Sequence, residues 1–229
     1  MGGFFGATSR RNCILDVFFG TDYHSHLGTR RGGMAAWDKD VGMQREIHNI
    51  QNSPFRTKFE GILDEMTGTA AIGCISDTDP QPILIRSRLG IYAICTIGVI
   101  NNAETLIANH LHSTGGHFDS MTGGRVNSNE LIAAMIDQKE DFAQGIRYAQ
   151  DMIEGTASIL IMKEGGNLIA ARDKMGRLPI VVEKNEDGYA VTFEDYAGEK
   201  LGYEVVRELG PGEIVEISPE GITQLAPPH

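Results

Sequence analysis

Apolar residues in this chain gather into short, nearly unbroken runs toward both ends, with amphipathic stretches between them. A strand covered on both faces leaves such a run, whereas a half-exposed strand alternates. Met1-Gly2-Gly3-Phe4-Phe5-Gly6 reads as a buried strand starting at the N-terminus, with no charged residue before Arg10. Asn12 then caps a helix with the apolar face Ile14, Leu15, Phe18 and Phe19, and Gly28 ends it. Gly32 to Trp37 reads as a strand, residues 38–53 as a polar loop or hairpin, and Pro54 opens a helix through Phe55, Phe59, Ile62, Leu63 and Met66. The runs Ala70 to Ile75 and Ile83 to Ile85 flank a turn at Ser76-Asp77-Thr78-Asp79-Pro80, and Ile91 to Ile100 supplies one or two more buried strands.

Helices are predicted over about 102–112, 128–137 and 141–154, the second opened by an Asn127/Glu130 capping box. The last third is strand-rich: 157–163, 168–172, 180–183, 189–193 and 213–217, with turns at Gly165-Gly166, Asn185 to Gly188 and Pro211-Gly212. Strands, then helices, then strands favours α+β with antiparallel sheets and segregated helices over alternating βαβ units. The tail Leu225 to His229 reads as a linker, which sets the expectation of one domain over 1–229 at the front of a longer chain.

Composition narrows the function classes. The 229 residues carry a net charge of −11, and the basic clusters Arg10-Arg11 and Arg30-Arg31 are too short to form a binding tail. Non-specific nucleic-acid and anionic-membrane binding are therefore not expected. No signal peptide is visible, and no apolar stretch approaches the ~20 residues of a membrane span, so a cytoplasmic protein is expected. Cys13, Cys74 and Cys95 are far apart and read as reduced thiols, with Cys74 and Cys95 in the core.

A buried, glycine-rich N-terminal strand is typical of enzymes whose first residue is the nucleophile and whose α-amine is the base. Further stretches sharpen that thought. Gly2-Gly3-Phe4-Phe5-Gly6, His26 to Ala35, Gly98 to Leu106, Ser128 to Ile132, Ala170 to Ile180, Phe193-Glu194 and Glu208 to Ile214 together resemble, in order, the N-terminal class II glutamine amidotransferase domain of the amidophosphoribosyltransferases. The resemblance implies an Ntn-hydrolase fold: a four-layer αββα sandwich of two antiparallel sheets between helices. In that family an N-terminal cysteine attacks glutamine, an Asn-Gly pair forms the oxyanion hole, an Arg holds the substrate carboxylate and an Asp its amine. By position these fall here at Gly2, Ile97-Gly98, Ser76 and Ser128.

The resemblance thus implies a domain without a catalytic residue of its own, inactive toward glutamine, in a purine-biosynthesis relative. Its implied partner is a phosphoribosyltransferase domain beyond His229, and a homo-oligomer is possible; no cofactor is implied. A module sensing a small metabolite, with Tyr23, Arg30 and Arg31 lining the old pocket, is one alternative. An N-terminal amidohydrolase of altered chemistry, using the Gly2 amine, is another. Among the remaining candidates, Cys13 suits a helix N-terminus with a lowered pKa better than a nucleophile. His24-x-His26 and His110-x-His112, with His117, fall in helical stretches where positions i and i+2 diverge, so no metal is expected. Arg172-Asp173 is expected to be scaffold, and Asn101-Asn102 a helix cap.

Overall fold

Phe4 and Phe5 show how the chain arranges itself in layers. Successive side chains of a strand point to opposite faces. Within β1 (Gly2–Ser9) Phe4 enters a cluster with Ile72, Cys95 and Leu160, while Phe5 joins Val17, Phe18 and Phe59 on the other side. Both rings are fully buried, each contributing roughly 1.5–3 kcal/mol relative to exposure. A strand with two covered faces has no polar face, which is why its sequence is an apolar run. The computed structural model describes residues 2–229, so Met1, first of the expected strand, lies outside the described residues.

The chain continues through α1 (Ile14–Tyr23), a 3-10 turn at Ser25–Leu27, β2 (Arg31–Asp38), β3 (Gly42–Asn49), α2 (Phe55–Phe59), α3 (Ile62–Glu65) and β4 (Ala70–Ser76). Next come β5 (Ile83–Ser87), β6 (Gly90–Ile100), α4 (Ala103–Thr114), the two-residue strands β7 (Met121–Thr122) and β8 (Arg125–Val126), α5 (Ser128–Ile136) and α6 (Phe142–Met152). The last third holds β9 (Gly155–Lys163), β10 (Leu168–Ala171), β11 (Val181–Lys184), β12 (Gly188–Thr192), α7 (Asp195–Lys200), β13 (Glu204–Glu208), β14 (Ile214–Ser218) and β15 (Gly221–Ala226).

Two antiparallel sheets face each other. The first has the order β13-β11-β12-β1-β4-β2-β3, the second β15-β14-β10-β9-β6-β5. Side chains from both form the central layer, including Phe4, Ile72, Cys74, Cys95, Leu160 and Met162. α1, α2 and α7 cover the outer face of the first sheet, while α5 and α6 cover that of the second. This is the expected αββα sandwich. α1 lies so close to β1 that a Cβ on Gly20 would sit 2.4 Å from the Phe5 ring. No helix among the described residues is long and apolar enough to cross a membrane.

Local departures have local causes. The helix expected from Pro54 breaks into α2 and α3 at Glu60-Gly61. The polar stretch after Trp37 forms the hairpin that is one of the two expectations for it: β3 pairs with β2 at the sheet edge and carries Arg45, Glu46 and His48, charges that block further pairing. Asn127 caps α5 through its side chain and the Asn129 N–H. Glu130 does not close the box; it accepts from the Asp119 and Ser120 N–H groups instead. Asn102 stands at the α4 cap position, but its side chain bridges Met152 and Glu154. The expected linker is partly β15, and beyond it Arg147 donates to the Pro227 carbonyl.

Candidate functional site

A cleft of about 260 Å³ opens between the end of β4 and the last part of β6. Ser76, Thr96, Ile97, Gly98, Arg177 and Leu178 line it. Strand register brings the first-sheet components together: Ser76 pairs with Gly2 on one side and with Arg31 on the other. β6 approaches from the second sheet, paired with β9 so closely that a Cβ on Gly98 would lie 1.9 Å from the Thr156 carbonyl oxygen. That contact alone requires glycine at position 98.

Two loops shape the mouth. Between β4 and β5, Ser76 Oγ accepts from the Thr78 N–H at 3.2 Å. Asp77 accepts from the Thr29 N–H at 2.7 Å. Burial alone would raise its carboxyl pKa, but hydrogen bonding to the backbone brings it below the usual value. Gln81 Oε1 receives both the Thr96 N–H (2.8 Å) and the Asn129 amide (3.0 Å), tying this loop to β6 and α5. The second loop, after β10, is held from within. Asp173 accepts from the Met175 and Arg177 N–H groups, while Arg172 donates to the carbonyls of Gly176, Leu178 and Leu209. Arg172-Asp173 is therefore scaffold, as expected, and it fixes the backbone that presents Arg177 and Leu178.

Four of the sequence-derived positions converge. Ser76, Ile97 and Gly98 line the cleft, and Gly2 adjoins it through Ile97. A Cβ on Gly2 would lie 2.3 Å from the Ile75 carbonyl oxygen and 2.9 Å from Ile97 Cδ1. The space that a side chain at position 2 would need is thus filled. Ser128 is not among the lining residues; its N–H donates to Asp79 at 3.2 Å. Tyr23 packs on Phe19 and Tyr196, and Arg30 is exposed, with its carbonyl taken by the Ile50 N–H. Arg31 sits beside Ser76 in β2, outside the lining.

The cleft has an unusual chemical balance. Arg177 is the only titratable group among its described lining residues, and no carboxylate or imidazole faces it. Thr96 is 8% exposed, and its hydroxyl has no hydrogen-bond partner. Sequence reading missed Arg177 and Thr96. They come from a loop and a strand far apart in the chain, and the only available signal was the position of Arg177 inside the Ala170 to Ile180 stretch.

The other candidates resolve elsewhere. Cys13 is 1% exposed, and burial, with Asp16 adding to it, pushes its thiol up to about 12. The expected lowering is therefore reversed, because desolvation of the thiolate outweighs the helix N-terminus. His24 is fully buried, its Nδ1 2.7 Å from the Gly20 carbonyl and its Nε2 3.1 Å from Thr192 Oγ1. Burial holds its pKa below the ordinary value. His26 pairs with Glu194 and His117 with Asp119, so the histidines are dispersed. No group of three or more His, Cys, Asp or Glu among the described residues is placed to hold a metal ion.

Comparison with known proteins agrees with this architecture. A family model described as a glutamine amidotransferase domain matches residues 57–195. Over 226 residues the chain is 27% identical to an amidophosphoribosyltransferase of Methanocaldococcus jannaschii, covering 95% of this chain and 47% of that protein. Over 231 residues it is 27% identical to that of Bacillus subtilis, covering 96% and 46%. A solved structure of glutamine phosphoribosylpyrophosphate amidotransferase from B. subtilis, complexed with ADP and GMP, superposes with a TM-score of 0.83. The identity there is 25%, over 97% of this chain and 48% of the other. The chain spans about half the length of the curated relatives it matches.

Proposed function

This chain belongs to the glutamine amidotransferase domain family, and from that membership we propose a domain that keeps the family's fold without its glutaminase chemistry. One observation carries the reading. Position 2 is glycine, and the space beside it is taken by the Ile75 carbonyl and the Ile97 methyl. A thiol nucleophile has neither an atom nor room there. Ser76 offers a hydroxyl, but no general base lines the cleft with it among the described residues, and an unactivated hydroxyl is a weak nucleophile. At the Asn-Gly position Ile97 supplies no side-chain donor, and one lost oxyanion donor typically costs about a hundred- to a thousand-fold in rate.

The role that remains is structural or regulatory, within a cytoplasmic purine-biosynthesis relative. The share of the relatives left unmatched by this chain supports a phosphoribosyltransferase domain as its partner, which would take free ammonia or another amine. The test is glutamate release from glutamine by the purified full-length protein. The expected rate equals the no-enzyme blank, and turnover that rises with protein concentration would overturn the proposal.

A further inference from the structure

We propose that the cleft between β4 and β6 binds a small aliphatic carboxylate that lacks an α-ammonium group. This rests on the reading of the domain as silent toward glutamine and names what the altered site takes instead. Three features define the ligand. First, the walls are largely hydrocarbon, with Ile97, Val99 and Leu178 among the lining residues. An aliphatic body buried there gains about 25 cal/mol per Å² removed from water. Second, Arg177 is the single charged lining group, and its guanidinium has no hydrogen-bond or ion-pair partner among the described residues. A planar fork of donors with nothing to hold matches a carboxylate. Third, no acidic side chain lines the cleft, so the ammonium of an amino acid would be desolvated without a counter-charge.

Asp77 and Asp79 are not among the lining residues; their carboxylates accept from the N–H groups of Thr29 and Ser128. The cleft, at about 260 Å³, lies below the ~300–1,000 Å³ of sites for drug-sized ligands. It suits a branched chain of five or six carbons.

The matched probes are 4-methylpentanoate, leucine (the same skeleton with an ammonium), 4-methylpentanamide (the same skeleton without charge) and glutamine. Binding to the full-length protein is read by titration calorimetry and by ligand-detected NMR. 4-Methylpentanoate is expected to bind, and the other three at least tenfold more weakly. Arg177→Gln lies on the exposed rim and should weaken 4-methylpentanoate about tenfold or more. Absence of 4-methylpentanoate binding, equal binding of leucine or the amide, or an unchanged affinity in Arg177→Gln would each overturn the assignment. Ammonia release is assayed on the same samples. Glutamine turnover would remove the premise, whereas failed carboxylate binding without turnover would remove only the ligand.

Discussion

Glu183 is the buried group whose titration most exposes the energetics of this fold. It lies in β11 between Ala190 of β12 and Val205 of β13, is fully buried, and neither carboxylate oxygen has a hydrogen-bond partner. α7 crosses directly over it: a Cβ on Gly198 would lie 1.5 Å from Oε2. Burial, with Asp195 and Glu199 of the same helix adding repulsion, raises its pKa from the ordinary 4.5 to about 8. At ~1.36 kcal/mol per pH unit, keeping this proton in the folded state costs about 3 kcal/mol by pH 7 and about 5 kcal/mol by pH 8. The sign follows from proton counting. Above pH 4.5 the unfolded chain has released a proton that the folded chain retains, so stability falls as pH rises toward 8.

Other shifted groups act outside the upper part of that range. His24 is held neutral, so its contribution is lost only as pH falls below its unfolded value of 6.5. Asp77, Glu213 and Glu216 are lowered carboxylates whose stabilisation is lost below their ordinary values near 4. The thiols of Cys13 and Cys95 begin to differ from the unfolded chain only near pH 9. Between about pH 7 and 7.5 Glu183 therefore dominates among the shifted groups. Urea unfolding should lose ~1 kcal/mol per pH unit there, less than the limiting ~1.4 because the folded-state proton begins to leave toward pH 8, and Glu183→Gln should flatten the dependence. The amide is as poorly partnered as the acid, so the slope is diagnostic and the absolute stability is not. Glu183→Met, which removes both polar atoms at similar volume, should raise the midpoint throughout. A flat wild-type profile, or a slope that survives in Glu183→Gln, would refute the reasoning.

Further outcomes follow from close contacts. Gly2→Cys should yield no glutamate from glutamine and should lower stability by ~1–3 kcal/mol, because its Cβ meets Ile97 and the Ile75 carbonyl; glutamate release would refute it. Gly20→Ala should cost a similar ~1–3 kcal/mol in urea unfolding, since the added carbon enters the Phe5 ring. Arg172→Met should lose about 3 kcal/mol by leaving the carbonyls of Gly176, Leu178 and Leu209 without their donor. It should also raise hydrogen exchange over residues 173–179, and unchanged exchange there would argue against the scaffold role.

The layers were legible because burial on both faces of a strand leaves an apolar run, as in Ala70 to Ile75 and Ala157 to Met162. What stayed hidden was edge and cover. Residues 204–208, Glu-Val-Val-Arg-Glu, form an edge strand with exposed residues and little apolar signature. α7 is six residues long with a glycine inside it, and propensity alone argues against such a helix. Gly198 is there because Glu183 leaves no room for a side chain, a constraint set by a residue on another element. The site divided in the same way. Gly2, Ser76, Ile97 and Gly98 were found through contiguous stretches, and strand register brought them together. Arg177 and Thr96 emerge only once the loop after β10 lies beside β6. Cys13 was placed correctly at the start of α1, but its burial could not be seen from local sequence.

The contacts around Gly2 bear on the order in which such a site could change. With isoleucine at position 97, Cδ1 lies 2.9 Å from where a Cβ on residue 2 would stand, so glycine at position 2 and isoleucine at position 97 fit one another. Removing the methyl by Ile97→Val would still leave the Ile75 carbonyl 2.3 Å from that Cβ, and a carbonyl in a ladder paired on both sides does not rotate away. A cysteine at position 2 therefore needs a shift of the β1 end relative to β4 as well as a smaller residue 97. The double variant Gly2→Cys/Ile97→Val should recover part of the stability that Gly2→Cys alone loses, a coupling of about 0.5–3 kcal/mol in a double-mutant cycle. On the function proposed above it should still lack glutaminase activity, since Ser76 at the proposed carboxylate-clamp position carries no charge. Additive losses in that cycle would show that Ile97 does not occupy the space of the missing side chain.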